Sequence, residues 1–173
     1  MYQRYLIQTI TLTSAAASFD FTSIPSTYTD LCLKLSTRSD YTQIYDPIGL
    51  QINGDTTSTY YTRRLYGNGA TATSDLPSNP STVAAIGLSV GASSTASTFG
   101  NLEIYFPNAA SSTQKSFSHN AVSENNATTA YATFTASLWT GTTAISSLKI
   151  LSANGTANFV TYSSASLYGI RGA

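Results

Sequence analysis

Apolar residues fall on every second position along nearly the whole chain, in short runs that end at Gly, Pro or Asn. Period two is the mark of a β-strand, because successive side chains of extended backbone point to opposite faces. Leu6, Ile10 and Leu12 share a parity around Gln8 and predict a first strand over residues 4–13. Phe19 and Phe21 flank Asp20 in a second. Leu31, Leu33 and Leu35 alternate with Cys32, Lys34 and Ser36, and Ile48, Leu50 and Ile52 with Gly49 and Gln51. Asn53-Gly54-Asp55 then predicts a hairpin turn, with residues 59–66 as its return arm. Gly67-Asn68-Gly69 breaks that arm, and residues 70–81, with Pro77 and Pro80, read as a long irregular loop. Further alternations follow at Ile86/Leu88/Val90, Leu102/Ile104/Phe106, Phe117/His119/Ala121, Ala132/Phe134/Ala136/Leu138 and Ile145/Leu148/Ile150. Residues 159–170 supply a last strand or bent pair. About ten short strands with turns between them predict an all-β sandwich or barrel. The run Ser14-Ala15-Ala16-Ala17-Ser18 is too short for a stable helix. No linker or shift of composition divides the chain, so residues 1–173 are expected to form a single domain.

Composition limits what such a sandwich can do. Only 9% of residues are charged, against about 25% in ordinary globular chains, and Ser and Thr make up roughly three residues in ten. Apolar content of 42% separates the chain from disordered segments. The net charge is zero and the eight basic residues are scattered, with only Arg63 and Arg64 adjacent, so nucleic acid is not an expected partner. No apolar run is long enough for a membrane-spanning helix, and the N-terminus lacks the pattern of a secretion signal. Two glycosylation-type triplets, at Asn126 and Asn154, are read as turns.

Reactive chemistry is sparse. His119 is the single histidine, and its setting, Phe117-Ser118-His119-Asn120, is a strand interior without a nucleophile-bearing turn. Glu103 and Glu124 are the two glutamates, and Asp30, Asp40, Asp46, Asp55 and Asp75 flank strands, where Asp serves turn geometry. Cys32, the single cysteine, forms no intrachain disulfide and reads as a small side chain in a strand, with Lys34 beside it on the same face. Asn53-Gly54-Asp55 offers oxygens to calcium but reads as a turn, and Gly67-Asn68-Gly69 lacks the spacing of a phosphate loop. The expectation is a non-enzymatic protein with no catalytic, cofactor or metal residues.

What remains is a surface rich in Tyr, Ser, Thr, Asn and Gly, a palette suited to recognition. Its densest cluster is Tyr60, Tyr61, Arg63, Arg64 and Tyr66, the expected interface; the bland alternative is an ordinary edge strand.

Several segments resemble small structural proteins of tailed bacteriophages. They are Tyr5-Leu6-Ile7-Gln8-Thr9-Ile10-Thr11-Leu12, Ala17-Ser18-Phe19-Asp20-Phe21-Thr22-Ser23-Ile24-Pro25-Ser26-Thr27-Tyr28-Thr29-Asp30-Leu31, Arg64-Leu65-Tyr66-Gly67-Asn68-Gly69, Ser123-Glu124-Asn125-Asn126-Ala127-Thr128 and Ser166-Leu167-Tyr168-Gly169-Ile170. The resemblance covers most of the chain and rests on the ordered combination of short motifs. It implies a jelly-roll-like sandwich in the virion, made in the bacterial host cytoplasm. With no room for a shaft before the first strand, the expected place is the outer capsid surface, as a decoration (cement) protein bound to the major capsid protein. The alternative is a tail-fibre or spike module binding a receptor or host surface glycan. A carbohydrate-binding module of another kind is a further reading, but Trp139 is the single Trp. Net neutrality and only three lysines (Lys34, Lys115, Lys149) to protect strand edges predict a homo-oligomer. The threefold positions of phage shells favour a trimer, joined near Tyr60, Tyr61, Arg63 and Tyr66 with the shell contacted through uncharged loops.

Overall fold

The alternating runs are strands, and they are too short to bury their apolar faces without a second layer. In the computed structural model, residues 3–77, 80–124 and 130–171 are described. They form β1 (Gln3–Thr11), β2 (Ser18–Phe21), β3 (Asp30–Thr37), β4 (Tyr45–Ile52), β5 (Tyr60–Gly67), β6 (Ala72–Asp75), β7 (Ala84–Val90), β8 (Gly100–Phe106), β9 (Lys115–Glu124), β10 (Ala130–Trp139), β11 (Leu148–Ser152) and β12 (Ser164–Arg171). One antiparallel sheet has the order β1-β12-β3-β8-β9-β10-β5-β6 and the other β2-β11-β4-β7. Without β5, β6, β9 and β10, the remaining order is β1-β12-β3-β8 over β2-β11-β4-β7. That is an eight-stranded jelly roll, a ribbon of antiparallel pairs folded over on itself. The β5–β6 and β9–β10 pairs are additions that widen the first sheet beyond β8.

The inward faces close one core. Phe19, Phe21, Leu31, Leu33, Ile48, Leu50, Ile52, Ile104, Phe106, Leu148, Ile150 and Leu167 all belong to one buried cluster. Each such side chain contributes about 1.5–3 kcal/mol by leaving water. Gly169 on β12 is needed where Tyr28 lies flat on the backbone, because a Cβ there would sit 2.2 Å from the Tyr28 ring.

Tertiary contacts alter five of the sequence expectations. Twelve strands occur among the described residues rather than about ten, and the supposed irregular loop contains β6, which pairs with β5 from Arg64↔Asp75 to Gly67↔Ala72. A bulge at Ile7 shifts the β1 register between Leu6 and Gln8. The extra residue reverses the facing of everything before it, so Leu6 points out and is 59% exposed while Ile7, Ile10 and Leu12 pack on the core. The turn at Asn53 (φ 54°) and Gly54 (φ 69°) forms, but β5 is not its return arm. β11 and β7 already occupy both hydrogen-bonding edges of β4, so the chain crosses to the other sheet. Asn53 fixes that departure: its side-chain oxygen accepts the backbone N–H groups of Ser146 at 2.8 Å and Ser147 at 3.0 Å. Asp46 is not a turn residue; it lies inside β4, fully buried, accepting Ser152 Oγ and Asn154 Nδ2, each at 2.8 Å.

The lysines, finally, guard no edge. Lys34 and Lys149 sit on the interior strands β3 and β11. Lys115 is buried, donating to the carbonyls of Ser111 and Thr113 beneath Trp139. The edges are managed otherwise: β2 and β6 have four residues each, β1 is bulged, and β7 packs beneath β9 and β10.

Candidate interaction surface

The widened part of the large sheet has an unusual polarity. On β10, the apolar side of the alternation (Ala132, Phe134, Ala136, Leu138) faces outward, and Thr133, Thr135, Ser137 and Trp139 are buried. The reason lies beneath it. β7 runs under β9 and β10, and at Gly87 the backbones are so close that an added Cβ would meet the Ala121 Cβ at 2.7 Å. The neighbouring inward positions of β9 and β10 are filled by small or hydroxyl-bearing side chains. Ser137 Oγ bonds the Thr62 hydroxyl at 3.2 Å and His119 Nε2 at 3.0 Å.

Strand register then aligns the outward residues in rows. One row runs Val122, Ala132, Gly67, Ala72; the next Asn120, Phe134, Leu65, Ser74; then Ser118, Ala136, Arg63; then Ser116, Leu138, Tyr61. Phe134 is 59% exposed and Leu65 56%, side by side in adjacent strands. Beside this ridge lies an open groove of about 500 Å³, floored by Gly67, Ala72 and Ala132 and walled by Leu65 and Phe134. Of the nine large hydrophobic residues exposed among those described, Leu6, Tyr61, Leu65, Tyr105, Val122 and Phe134 all lie on this one face of the large sheet. Grouping of that kind, rather than scatter, is what marks a contact surface.

The five residues expected to form an interface divide between two faces of β5. Tyr61 and Arg63 belong to the outward rows. Tyr60 points inward, is fully buried, and forms no part of an accessible surface. Its hydroxyl accepts the Ile52 N–H at 2.8 Å and donates to the Asp55 carbonyl at 3.1 Å, and burial pushes the phenol up to about 12. Arg64 and Tyr66 also point to the inner side. Arg64 makes a two-pronged pair with Asp75 at 3.0 and 2.6 Å and lies 4.8 Å from the centre of the Tyr66 ring. β5 itself is flanked by β10 and β6, so it is not an edge strand. The widened sheet overhangs the smaller one here. Arg64, Tyr66 and Tyr131 from one side and Tyr45, Pro47 and Leu88 from the other line a cleft of about 190 Å³. Tyr45 and Tyr131 meet edge to face at 5.0 Å.

The residues considered for chemistry are tied into the fold. His119 is buried, and desolvation pushes its imidazole down to about 4 against weak opposition from the Ile86 backbone. Glu103 holds Lys34 at 3.0 Å and Arg4 at 3.6 Å, and the Lys34 hydrogen bond keeps its carboxyl below the usual range. Cys32 is sealed under this cluster, and burial first, then Glu103, pushes its thiol up to about 11. Asp55 is occupied on both oxygens. Oδ1 accepts the Thr57 N–H and hydroxyl, and Oδ2 accepts the Thr59 hydroxyl at 2.7 Å and Trp139 Nε1 at 2.8 Å. The turn reading of Asn53-Gly54-Asp55 therefore stands, with those oxygens spent on donors rather than offered to a cation. Asn154 sits in the turn after β11, whereas the triplet at Asn126 lies outside the described residues, as does most of Ser123-Glu124-Asn125-Asn126-Ala127-Thr128. Among the described residues no group of three or more His, Cys, Asp or Glu side chains is placed to hold a metal.

The outward apolar face was missed because alternation reports that two sides differ, not which side is buried. A signal did exist: the opposite side of β10 reads Thr133, Thr135, Ser137, small residues suited to a close approach. Comparison with protein families and with curated proteins found no match to this chain.

Proposed function

We propose that this chain is a non-enzymatic structural protein of a tailed-phage virion, a decoration module on the outer capsid surface. The observation that supports it is the outward apolar face of β9, β10, β5 and β6, an adhesive surface on a domain whose titratable candidates are engaged in holding the fold. Placement on the shell comes from the resemblance of the sequence segments. Attachment to the major capsid protein through uncharged loops would depend on shape and hydrogen bonds and tolerate salt. Cryo-electron microscopy of a particle carrying this chain tests the reading: density on the shell lattice is expected, with loss of heat resistance in particles that lack it. Density on the tail refutes the capsid placement, and absence from the particle refutes the whole proposal.

The tyrosine cleft favours a second reading, a tail module that binds a host surface glycan. Tyr45, Tyr66 and Tyr131 line the cleft with aromatic surface for sugar C–H groups, and Arg64, neutralised by Asp75, leaves it without net charge. Titration calorimetry with neutral host polysaccharide should then give heat that Tyr131→Ala abolishes. No binding at millimolar sugar removes this alternative.

A further inference from the structure

We infer that the outward face of β9, β10, β5 and β6 is closed in solution by a second copy of this chain, packed sheet on sheet about a two-fold axis. The inference rests on reading that face as adhesive and adds its occupant.

Three observations point to a copy of the same chain. First, size: five strands from β8 to β6 at about 4.8 Å spacing, and seven residues along β10 at about 3.4 Å each, outline about 24 by 24 Å. Two such faces bury about 1,150 Å² together even as planes, above the roughly 1,000 Å² that a specific interface needs. Second, shape: the Phe134–Leu65 ridge lies directly beside the Gly67–Ala132–Ala72 groove, so a rotated copy can seat its ridge in the partner's groove and receive the partner's ridge in return. Sheets with the same twist pack aligned with interdigitating side chains. Third, charge: across those five strands the outward charged side chains in the four rows are Arg63 and Glu103 among the described residues, and Glu103 is already paired with Lys34 and Arg4, so little repulsion keeps two copies apart.

Symmetry follows from the patch being one. A patch that meets itself gives an isologous two-fold contact, whereas a closed trimer needs two different complementary patches on each subunit. The exposed apolar residues are concentrated on one face, so the expected assembly is a dimer rather than the trimer suggested by phage-shell symmetry.

Sedimentation equilibrium of the purified full chain from 1 to 100 µM tests this without any virion component. The wild type should sediment as a dimer, and Phe134→Glu with Leu65→Glu should give a folded monomer by circular dichroism, with dissociation at least a hundredfold more favourable. Tyr162→Asn, which removes an equally exposed aromatic away from this face, should leave the dimer intact. If the double variant fails to fold, Ala136→Arg in the adjacent outward row replaces it, since that position also points to solvent. A wild-type monomer at 100 µM, a trimer, or a dimer unaffected by these substitutions overturns the inference. A monomer that still coats shells would do so while leaving the virion reading in place.

Discussion

Replacing Asp55 should cost this fold more than any other single loop carboxylate, and the cost should shrink in acid. Asp55 sits where the chain crosses from the small sheet to the large one, and its side chain ties that crossover to Trp139 at the end of β10. Asp55→Ala leaves the Trp139 N–H, on a residue only 3% exposed, without its acceptor. An orphaned buried donor costs about 1–3 kcal/mol. The lost Thr57 and Thr59 bonds are closer to solvent and add about 1 kcal/mol together, for a total of about 2–4 kcal/mol. Asp55→Asn keeps one acceptor but turns an amide toward donors, and should fall between. Burial alone would raise the Asp55 carboxyl; donation from Thr57, Trp139 and Thr59 outweighs it and holds the group far below the usual range. A depressed folded value means stabilisation that is complete above the unfolded value of about 3.9 and is lost progressively as pH falls from there through the much lower folded value. Urea unfolding at pH 7 should therefore show the full loss, equivalent to about 6–12 °C in melting temperature. The gap between wild type and Asp55→Ala should start to narrow below about pH 5 and keep narrowing as pH falls toward the folded value. A loss under about 1 kcal/mol, or a gap unchanged at pH 2.5, would refute the account of Asp55 as the knot of the crossover.

Other outcomes follow from the same structure. His119 is held neutral by burial, with its folded value about 4 against about 6.5 unfolded. The unfolded chain takes up the proton first, so stability should decline as pH drops from about 6.5 to 4, and His119→Gln should flatten that slope in pH-dependent denaturation. His119→Ala should weaken the fold but leave any virion attachment unchanged in the protein that remains folded; loss of a polysaccharide-cleaving activity in that variant would contradict the non-enzymatic reading. Cys32, with its thiol near 11, should resist iodoacetamide at pH 8 in the native state and react fully in urea. Arg38 donates to the carbonyls of Ala92, Ser94, Thr95 and Thr98, so Arg38→Ala should loosen that loop and raise its rate of proteolytic cleavage several-fold while the core strands keep their hydrogen-exchange protection.

The sequence by itself determined the class of fold and most of its strands, because the signal for a strand is local. Leu31/Leu33/Leu35 and Ile48/Leu50/Ile52 alternate within a few residues, and both lie in strands whose leucines and isoleucines meet in the core. The turn at Asn53-Gly54 was equally legible, since positive φ at both positions depends only on the residues themselves. Facing and partnership were decided elsewhere. One bulged residue turned Leu6 to solvent, and the occupied edges of β4 sent β5 to the other sheet. The close approach of β7 at Gly87 selected the hydroxyl side of β10 for burial and left Phe134 outside. The Tyr60–Tyr66 cluster, continuous in sequence, was divided between a buried hydroxyl network, an inner cleft and an outer face, because neighbouring residues of a strand point in opposite directions. Alternation can show that the two sides of a strand differ; only packing against the rest of the molecule decides which side meets water, and so which residues remain to meet a partner.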